Sequence, residues 1–334
     1  MYKIDKKDSK IIYHLLNNSR QPLSILGKKV GLSREVVNYR ITRLEKEGII
    51  VEYPTIIDCG FLDWTIIRYY YTLQFVSPKK KQEIIEYFTN SDIVSWVSEL
   101  EGSYDLQLNI YAEAVKKSIY PLKYQSIALK FLNFYDQTQK KYRKYIDEQI
   151  LTVYNKSYFF DLVFLLGDKN IIPLCSSHFP YKELYIDKLD LEILHKLALN
   201  SRIPTVNLAH DLNITTATVT TRIKRLIDEN VVWKFSAHID WPKIGYRLYT
   251  VEINLKDYDK KYEIIEYIRK NQNIFWIYET FGRGVDLDFE FVFKDITQLH
   301  DIINDLSLKF PETIKNFRYY SHSKVHKQNH MPFK

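Results

Sequence analysis

The feature that most constrains this chain is an internal repeat at an offset of 182 residues. The segment 18–22 (NSRQP) returns at 200–204 as NSRIP. Between residues 4–58 and 186–240, 19 of 55 ungapped positions are identical, whereas chance at average composition gives about three or four. The chain is therefore a duplication, and two copies at so long a period are not a solenoid.

Each copy opens with apolar residues at helical spacing. In the first copy Asp5 suits the N-cap of one helix and Pro22 the first turn of a second. Gly31 can take a positive φ in a tight turn, and Ser33 can cap a third helix. Three short helices with a tight turn before the third are typical of a helix-turn-helix unit. The apolar run 49–51 predicts a short strand, hence a winged variant.

The apolar period then changes to two, which indicates strands. In the first copy we predict a strand at 65–76, a helix at 79–90, strands at 93–101 and 104–112, a helix at 115–130 and a last strand in the 130s to 140s. In the second copy we predict a strand at 246–255, a helix at 259–271, strands at 274–281 and 286–293, a helix at 296–309 and a last strand at 313–322. This βαββαβ order is ferredoxin-like. The predicted fold class is α+β, with two winged helix-turn-helix domains alternating with two ferredoxin-like domains. The predicted domains are 1–58, 59–150, 184–240 and 241–334, with an apolar bridge at 151–183 expected to pack against the ferredoxin-like domains.

Charge differs between the copies. The whole chain carries a formal +7, which permits an anionic partner. Residues 1–58 hold 11 Lys and Arg against 7 Asp and Glu, whereas 184–240 hold 7 of each. Two cysteines cannot build a disulfide framework, and no signal peptide or membrane span is evident, so we expect a cytoplasmic protein.

The segment from Leu32 to Ile50 (LSREVVNYRITRLEKEGII) resembles the DNA-binding motif of the Lrp/AsnC family of transcription regulators. The βαββαβ domain resembles that family's ligand-sensing (RAM) domain, whose Gly-x-x-Asp loop is matched by 102–105. The resemblance implies a sequence-specific DNA-binding regulator whose sensing domains pair sheet to sheet and bind an amino-acid effector. Because this chain fuses two units, we expect its sensing domains to pair within the chain as a pseudo-dimer, with further homo-oligomers left open.

We expect the first copy to carry more of the affinity for double-stranded DNA, because phosphate neutralisation dominates that affinity. Arg34, Asn38 and Tyr39 are candidates for base edges, and Ser33 and Arg43 for phosphates. Two readings of Arg40 stay open: a phosphate contact, or an ion pair with Glu47 or another acidic neighbour. Two readings of the second copy also stay open. It is a packing module that has lost DNA binding, or it contacts DNA through Thr216, Thr220, Thr221, Arg222 and Lys224.

The predicted effector loops contain Gly102 and Asp105 in the first copy and Gly284 and Asp286 in the second. The alternative is that these residues only shape hairpins. No cofactor is predicted. The histidines at 322, 326 and 330 are four apart, but on a strand or tail that spacing does not place them on one metal, so no metal site is predicted.

Two other functions compete with regulation. Some haem-pathway decarboxylases resemble the same two-domain family, and an enzyme of that kind would place His and Arg around the sensing loop to hold tetrapyrrole carboxylates. Residues 93–112 contain neither, and the second copy has only Arg283 there, so no enzyme is predicted. The other alternative is a scaffold that has lost DNA binding; the intact basic motif of the first copy argues against it.

Overall fold

The computed structural model describes residues 2–62, 64–113, 121–168, 170–178, 184–282, 285–329 and 331. The first copy contains α1 (Lys6–Asn17), α2 (Leu23–Val30), α3 (Arg34–Lys46), β1 (Ile50–Glu52), β2 (Thr55–Ile57), β3 (Trp64–Leu73), α4 (Pro78–Thr89), β4 (Val94–Gly102), β5 (Leu106–Glu113), α5 (Pro121–Tyr142) and β6 (Ile146–Phe160). The short strand β7 (Cys175–His178) follows.

The second copy repeats this order. It contains α6 (Lys188–Leu199), α7 (Thr205–Asp211), α8 (Thr216–Asp228), β8 (Val232–Phe235), β9 (His238–Ile239), β10 (Arg247–Leu255), α9 (Lys261–Ile268), β11 (Ile274–Gly282), β12 (Leu287–Phe293), α10 (Ile296–Lys309) and β13 (Ile314–Gln328). The order confirms the predicted α+β class, with helix-turn-helix and ferredoxin-like domains alternating.

The first helix of each copy begins at a capping box. The Asp5 carboxylate accepts hydrogen bonds from the backbone N–H groups of Lys7 and Asp8 at 2.8 Å each. The Asp8 carboxylate accepts one from the Asp5 N–H at 3.3 Å, which completes the box. Asp187 and Asp190 repeat this arrangement at the start of α6. The apolar stripe predicted for α1 is buried, which confirms the helical periodicity: Ile11, Ile12, Leu15 and Leu16.

The predicted last strand of the first ferredoxin-like domain is wrong. The helix α5 continues to Tyr142, and β6 begins only at Ile146. Phe131, Phe134 and Tyr142 recur at helical spacing and pack into the core beneath the sheet, so this segment places its apolar side chains on one face of a helix. The strand β6 then runs to Phe160, into the segment predicted as a bridge.

The eight strands of the two ferredoxin-like domains close into one ring. Their order is β4-β5-β3-β6 in the first domain and β11-β12-β10-β13 in the second, and all pairs are antiparallel. The sheets join edge to edge, because β13 pairs with β4 and β6 pairs with β11. β7 adds a ninth strand on β6. The sequence does not predict this edge pairing. It gives each of the four domain-edge strands a hydrogen-bonded neighbour in the other domain.

The strands that follow α3 and α8 pair between copies rather than as local wings. β1 pairs with β9, and β2 pairs with β8. Each of these strands has two to four residues, too few for an independent hairpin to be stable. Pairing with the sister copy joins the two helix-turn-helix units into one body.

The two faces of the ring differ in chemistry. The outer face packs against the helices, and Leu287, Phe289 and Phe291 lie there with Ile264 and Leu299 in one apolar core. The inner face is buried but polar, with Arg68, Asp288 and His322 among its side chains. The helix-turn-helix units have their own cores around α1–α3 and α6–α8.

Candidate nucleic-acid interface

The helix α3 is held by the turn that precedes it. Gly31 ends α2 with φ +66°, a left-handed conformation that favours glycine. The Ser33 hydroxyl caps α3 by accepting a hydrogen bond from the Val36 N–H at 3.3 Å. In the second copy Asn213 takes φ 53°, and Thr215 caps α8. Both copies therefore present a fixed second helix of a helix-turn-helix.

The outer face of α3 is open to solvent. Arg34, Asn38 and Tyr39 are exposed there, and Tyr39 shows 66% of its surface. The opposite face is buried through Val37 and Leu44. The predicted base-reading residues therefore share an accessible surface.

The arginines behind that face are held by carboxylates. Arg40 Nη1 lies 2.7 Å from Asp5 Oδ2 and 2.8 Å from Asp8 Oδ1. Arg43 Nη2 lies 2.7 Å from Asp8 Oδ2. The acidic partners of Arg40 are thus Asp5 and Asp8 rather than Glu47. These ion pairs fix α3 on the start of α1, and the phosphate contacts predicted for both arginines stay predictions.

The second copy repeats this support with a less charged outer face. Arg222 forms ion pairs with Asp187 and Asp190, as Arg40 does with Asp5 and Asp8. The predicted DNA residues Thr216, Thr220, Thr221 and Lys224 are exposed. The Thr220 hydroxyl donates to the Thr216 carbonyl at 2.8 Å, and Lys224 lies 3.4 Å from Asp228.

A pseudo-twofold axis relates the two units. Ser19 Oγ and Ser201 Oγ lie 2.6 Å apart, and these residues differ in number by 182, the repeat offset. A residue that contacts its own repeat equivalent lies on a twofold axis. The contacts around it are reciprocal: the Ser19 N–H donates to the Phe235 carbonyl at 2.9 Å, and the Ser201 N–H donates to the Tyr53 carbonyl at 2.6 Å.

Gly102 and Asp105 lie at the turn from β4 to β5, and Asp286 directly precedes β12. The Asp105 carboxylate accepts the Leu73 N–H at 2.8 Å, and the Asp286 carboxylate accepts the Leu255 N–H at 2.7 Å. Gly102 has φ +124°, and an added Cβ would lie 2.9 Å from the Tyr319 carbonyl oxygen. Gly284 lies outside the described residues. Each carboxylate therefore ties its hairpin to the end of β3 or β10, and effector binding at these loops stays a prediction.

A buried polar cluster inside the ring was not predicted. Arg68 Nη1 lies 2.7 Å from Asp288 Oδ2, and Arg68 Nη2 lies 3.2 Å from Glu290 Oε1. The guanidinium also packs on the Tyr154 and Tyr278 rings at 4.5 and 5.0 Å. The signal available in the sequence was one arginine within a strand that otherwise holds only apolar, aromatic and threonine residues.

The repeat equivalents of this cluster carry no charge. Thr250 replaces Arg68, and His322 replaces Tyr154 in the strand register. His322 Nδ1 lies 2.9 Å from Ser98 Oγ, and Nε2 lies 3.3 Å from Thr250 Oγ1. Burial lowers the pKa of His322 to about 3, so this imidazole is neutral at physiological pH. The duplication has thus produced one charged and one neutral half of the ring interior.

Glu252 lies beside the charged half and predicts a pH effect. Burial, with Asp288 nearby, raises its pKa to about 7, although Tyr104 donates to it at 2.9 Å. Between the ordinary pKa of about 4.5 and the raised value of about 7, the folded state binds more protons than the unfolded state. The free energy of unfolding therefore falls as the pH rises through this range. The free energy of unfolding of Glu252→Gln should exceed that of wild type by on the order of 1–3 kcal/mol, with the smaller difference at pH 5 and the larger at pH 8. Urea unfolding at both pH values measures this.

The exposed Glu312→Gln change serves as the control, because Glu312 lies at the surface. It should show little difference from wild type at either pH. A Glu252→Gln effect equal at pH 5 and pH 8 would refute the assignment.

No group of three or more His, Cys, Asp or Glu able to hold a metal occurs among the described residues. His326 Nε2 lies 2.7 Å from Glu99 Oε1, and His330 lies outside the described part. The carboxyl-terminal segment is therefore docked: as β13 it pairs with β4 of the other copy. Within the residues described, no helix is long and apolar enough to cross a membrane.

Comparison with known proteins supports the two-copy reading. Residues 4–51 match the family model for winged helix-turn-helix DNA-binding, and residues 186–227 match the AsnC-type helix-turn-helix domain. An uncharacterized HTH-type transcriptional regulator of Pyrococcus horikoshii is 33% identical over 114 residues, which cover 33% of this chain and 73% of that protein. The HTH-type transcriptional regulator FL11 of the same organism is 29% identical over 107 residues, or 32% of this chain and 70% of FL11.

The crystal structure of the siroheme decarboxylase NirDL superimposes with a TM-score of 0.60 at 13% identity, covering 98% of this chain and 94% of that one. At that identity the match shows a shared fold. The sequence relatives and both domain matches place this chain in the Lrp/AsnC family of DNA-binding transcription regulators, as a tandem form with two helix-turn-helix units.

Proposed function

We propose that the chain binds its operator as a single-chain pseudo-dimer, in which the first helix-turn-helix unit reads most of the sequence. The observation that carries this proposal is the Ser19–Ser201 contact on the pseudo-twofold axis, with β1–β9 and β2–β8 pairing on either side. A homodimeric regulator reaches two half-sites through such an axis. Here both α3 and α8 belong to one chain.

The two recognition helices are unequal in chemistry. Arg34 and Asn38 can make bidentate contacts with guanine and adenine, whereas the equivalent positions of α8 hold Thr216 and Thr220. The net charge of the first unit is also higher. We therefore propose that α3 supplies specificity and that α8 contributes threonine contacts to phosphates or thymine methyl groups.

An amino-acid effector at the two hairpin loops stays part of the proposal. The loops lie in equivalent places in the two copies, as they would at a paired sensing interface. Because Asp105 and Asp286 are engaged by backbone N–H groups, we expect other groups of the loops to carry any recognition. A regulator of a chromosome works in the cytoplasm, the compartment that the cysteine content favours.

Selection of genomic DNA fragments by the purified protein tests the proposal. We expect enriched fragments with two unequal half-sites about one helical turn, or a multiple of it, apart. Repeating the selection with a panel of amino acids tests the effector, and repeating it across salt concentrations measures the phosphate contribution. If no sequence is enriched under any condition, the regulatory proposal fails.

Tetrapyrrole decarboxylation is the second candidate, and the fold match to NirDL favours it. We propose that this chain is a regulator rather than such an enzyme, because the ring-interior Arg68 is already paired with Asp288 and Glu290 and so is not free for substrate carboxylates. Mixing the protein with an iron-uroporphyrin and recording absorbance tests this. A bound, decarboxylated pigment would overturn the assignment.

A further inference from the structure

A cavity of about 460 Å³ lies between the helix-turn-helix pair and the strand ring. Its volume falls within the range of small-molecule sites, about 300–1,000 Å³. One side is formed by the strands that join the helix-turn-helix units, including Ile57, Trp233 and His238. The other side is formed by ring strands, including Trp96 and Trp276. The cavity is separate from the hairpin loops predicted to bind an effector.

Aromatic rings form much of the cavity wall. Four of the five tryptophans of the chain line it: Trp96, Trp233, Trp241 and Trp276. The rings of Trp233 and Trp276 lie 6.4 Å apart across the boundary between the two halves of the molecule. Aromatic faces favour stacking with a flat ring, so the wall suits a planar ligand.

Among the residues that the structure describes, the buried polar atoms of the lining without a hydrogen-bond partner include Gln107 Oε1, Trp96 Nε1, Tyr154 Oη and Arg68 Nε. Gln107 is 1% exposed, and its amide nitrogen lies 3.2 Å from Asn109 Oδ1, which leaves its Oε1 as the free acceptor. An unsatisfied buried polar group costs about 1–3 kcal/mol. A ligand with one donor and one acceptor would satisfy Gln107 and Trp96 together.

Arg68, Glu290 and His238 in the cavity wall already have side-chain partners. Arg68 and Glu290 line the cavity but are paired with each other, and His238 Nδ1 lies 3.2 Å from Glu52 Oε1. Ser98 and Thr250 hold His322, which is neutral at physiological pH. A charged ligand would lose its hydration without gaining a free counter-ion at these groups.

We propose that this cavity is an effector site for an uncharged planar heteroaromatic molecule that carries both a hydrogen-bond donor and an acceptor. Such a molecule would stack on the indole rings, donate to Gln107 Oε1 and accept from Trp96 Nε1. It would contact both the helix-turn-helix pair and the ring. The regulatory consequence rests on the proposed function, because it requires that the helix-turn-helix pair binds DNA.

Calorimetric titration of the full chain without DNA tests the site, with adenine and indole-3-carboxamide as probes and L-tryptophan as the zwitterionic comparison. We expect the neutral probes to bind and L-tryptophan to bind more weakly or not at all. Gln107→Leu keeps a similar volume and should weaken the neutral probes about five- to tenfold, the effect of one lost hydrogen bond. Trp96→Phe, which removes the indole N–H, should also weaken binding.

Gln149→Leu is the matched control, because Gln149 lies outside the cavity and its side chain accepts a hydrogen bond from Gln139. The Gln149→Leu variant should bind the probes with the affinity of wild type. Absence of binding by both neutral probes, tighter binding of L-tryptophan, or unchanged affinity in both Gln107→Leu and Trp96→Phe would overturn the proposal. Because no DNA is present, these results do not depend on whether the chain binds an operator.

Discussion

Replacing Arg68 with methionine should lower the free energy of unfolding by about 3–5 kcal/mol, the cost of breaking a buried ion pair from one side. Arg68 is 2% exposed and is the common partner of Asp288 and Glu290, which are also buried. Burial raises the pKa of both carboxyl groups, and Arg68 opposes this shift. Without the guanidinium these groups must be protonated or left unpaired. Urea unfolding followed by circular dichroism measures the loss.

A combined variant separates charge from packing. Arg68→Met with Asp288→Asn and Glu290→Gln removes the charges together, so it should recover most of the lost stability. Arg247→Met removes an exposed arginine, whose partner is Glu101, and should cost about 1 kcal/mol or less. If the single Arg68→Met variant were as stable as Arg247→Met, the buried cluster would not have the role assigned to it.

Replacing Arg34 with alanine should weaken binding to the selected operator by about 1–3 kcal/mol, or about 5- to 150-fold, and relax the base preference at one position. Arg34 is exposed on α3 and can contact guanine through two hydrogen bonds. Its removal takes away a specific contact while leaving the buried face of the helix intact. Titration of operator and scrambled DNA by fluorescence anisotropy measures both effects.

The duplication supplies the matched control for Arg34. Thr216 occupies the equivalent position of α8 and is also exposed. Thr216→Ala should change operator affinity by less than about fivefold, since a single hydroxyl contact contributes about 1 kcal/mol or less. Equal losses from the two substitutions would contradict the unequal roles proposed for α3 and α8. Arg43 is a poorer choice, because its ion pair with Asp8 would mix a stability effect with a DNA effect.

Local chemistry made the helix-turn-helix units predictable. The caps at Asp5 and Ser33 and the buried stripe of α1 depend on residues within a few positions of one another, so the sequence displays them directly. The boundary between α5 and β6 was missed because Phe131, Phe134 and Tyr142 form a helical stripe within a region rich in strand-forming residues. Local propensity alone does not determine there where the helix ends and the strand begins.

The ring and its interior depend on long-range pairing. Asp288 and Glu290 alternate with phenylalanines, and in an open sheet such residues would face water. Closure through β13–β4 and β6–β11 instead buries them against Arg68, which lies 220 residues away from Asp288 in sequence. No local pattern specifies such a contact. The central cavity was missed for the same reason, since its wall combines residues from both copies.

The contact between Ser19 and Ser201 has a consequence for how a promoter is read. A regulator assembled from two separate chains must first dimerise, so its occupancy of a site depends on a concentration threshold. When both halves are one chain, that equilibrium is replaced by a fixed effective concentration. The two halves have also diverged in sequence, so the two orientations of the protein on DNA are not equivalent. On the proposed function, the protein would dock on a non-palindromic site in one direction only, and that direction would determine which side of the site faces the neighbouring gene.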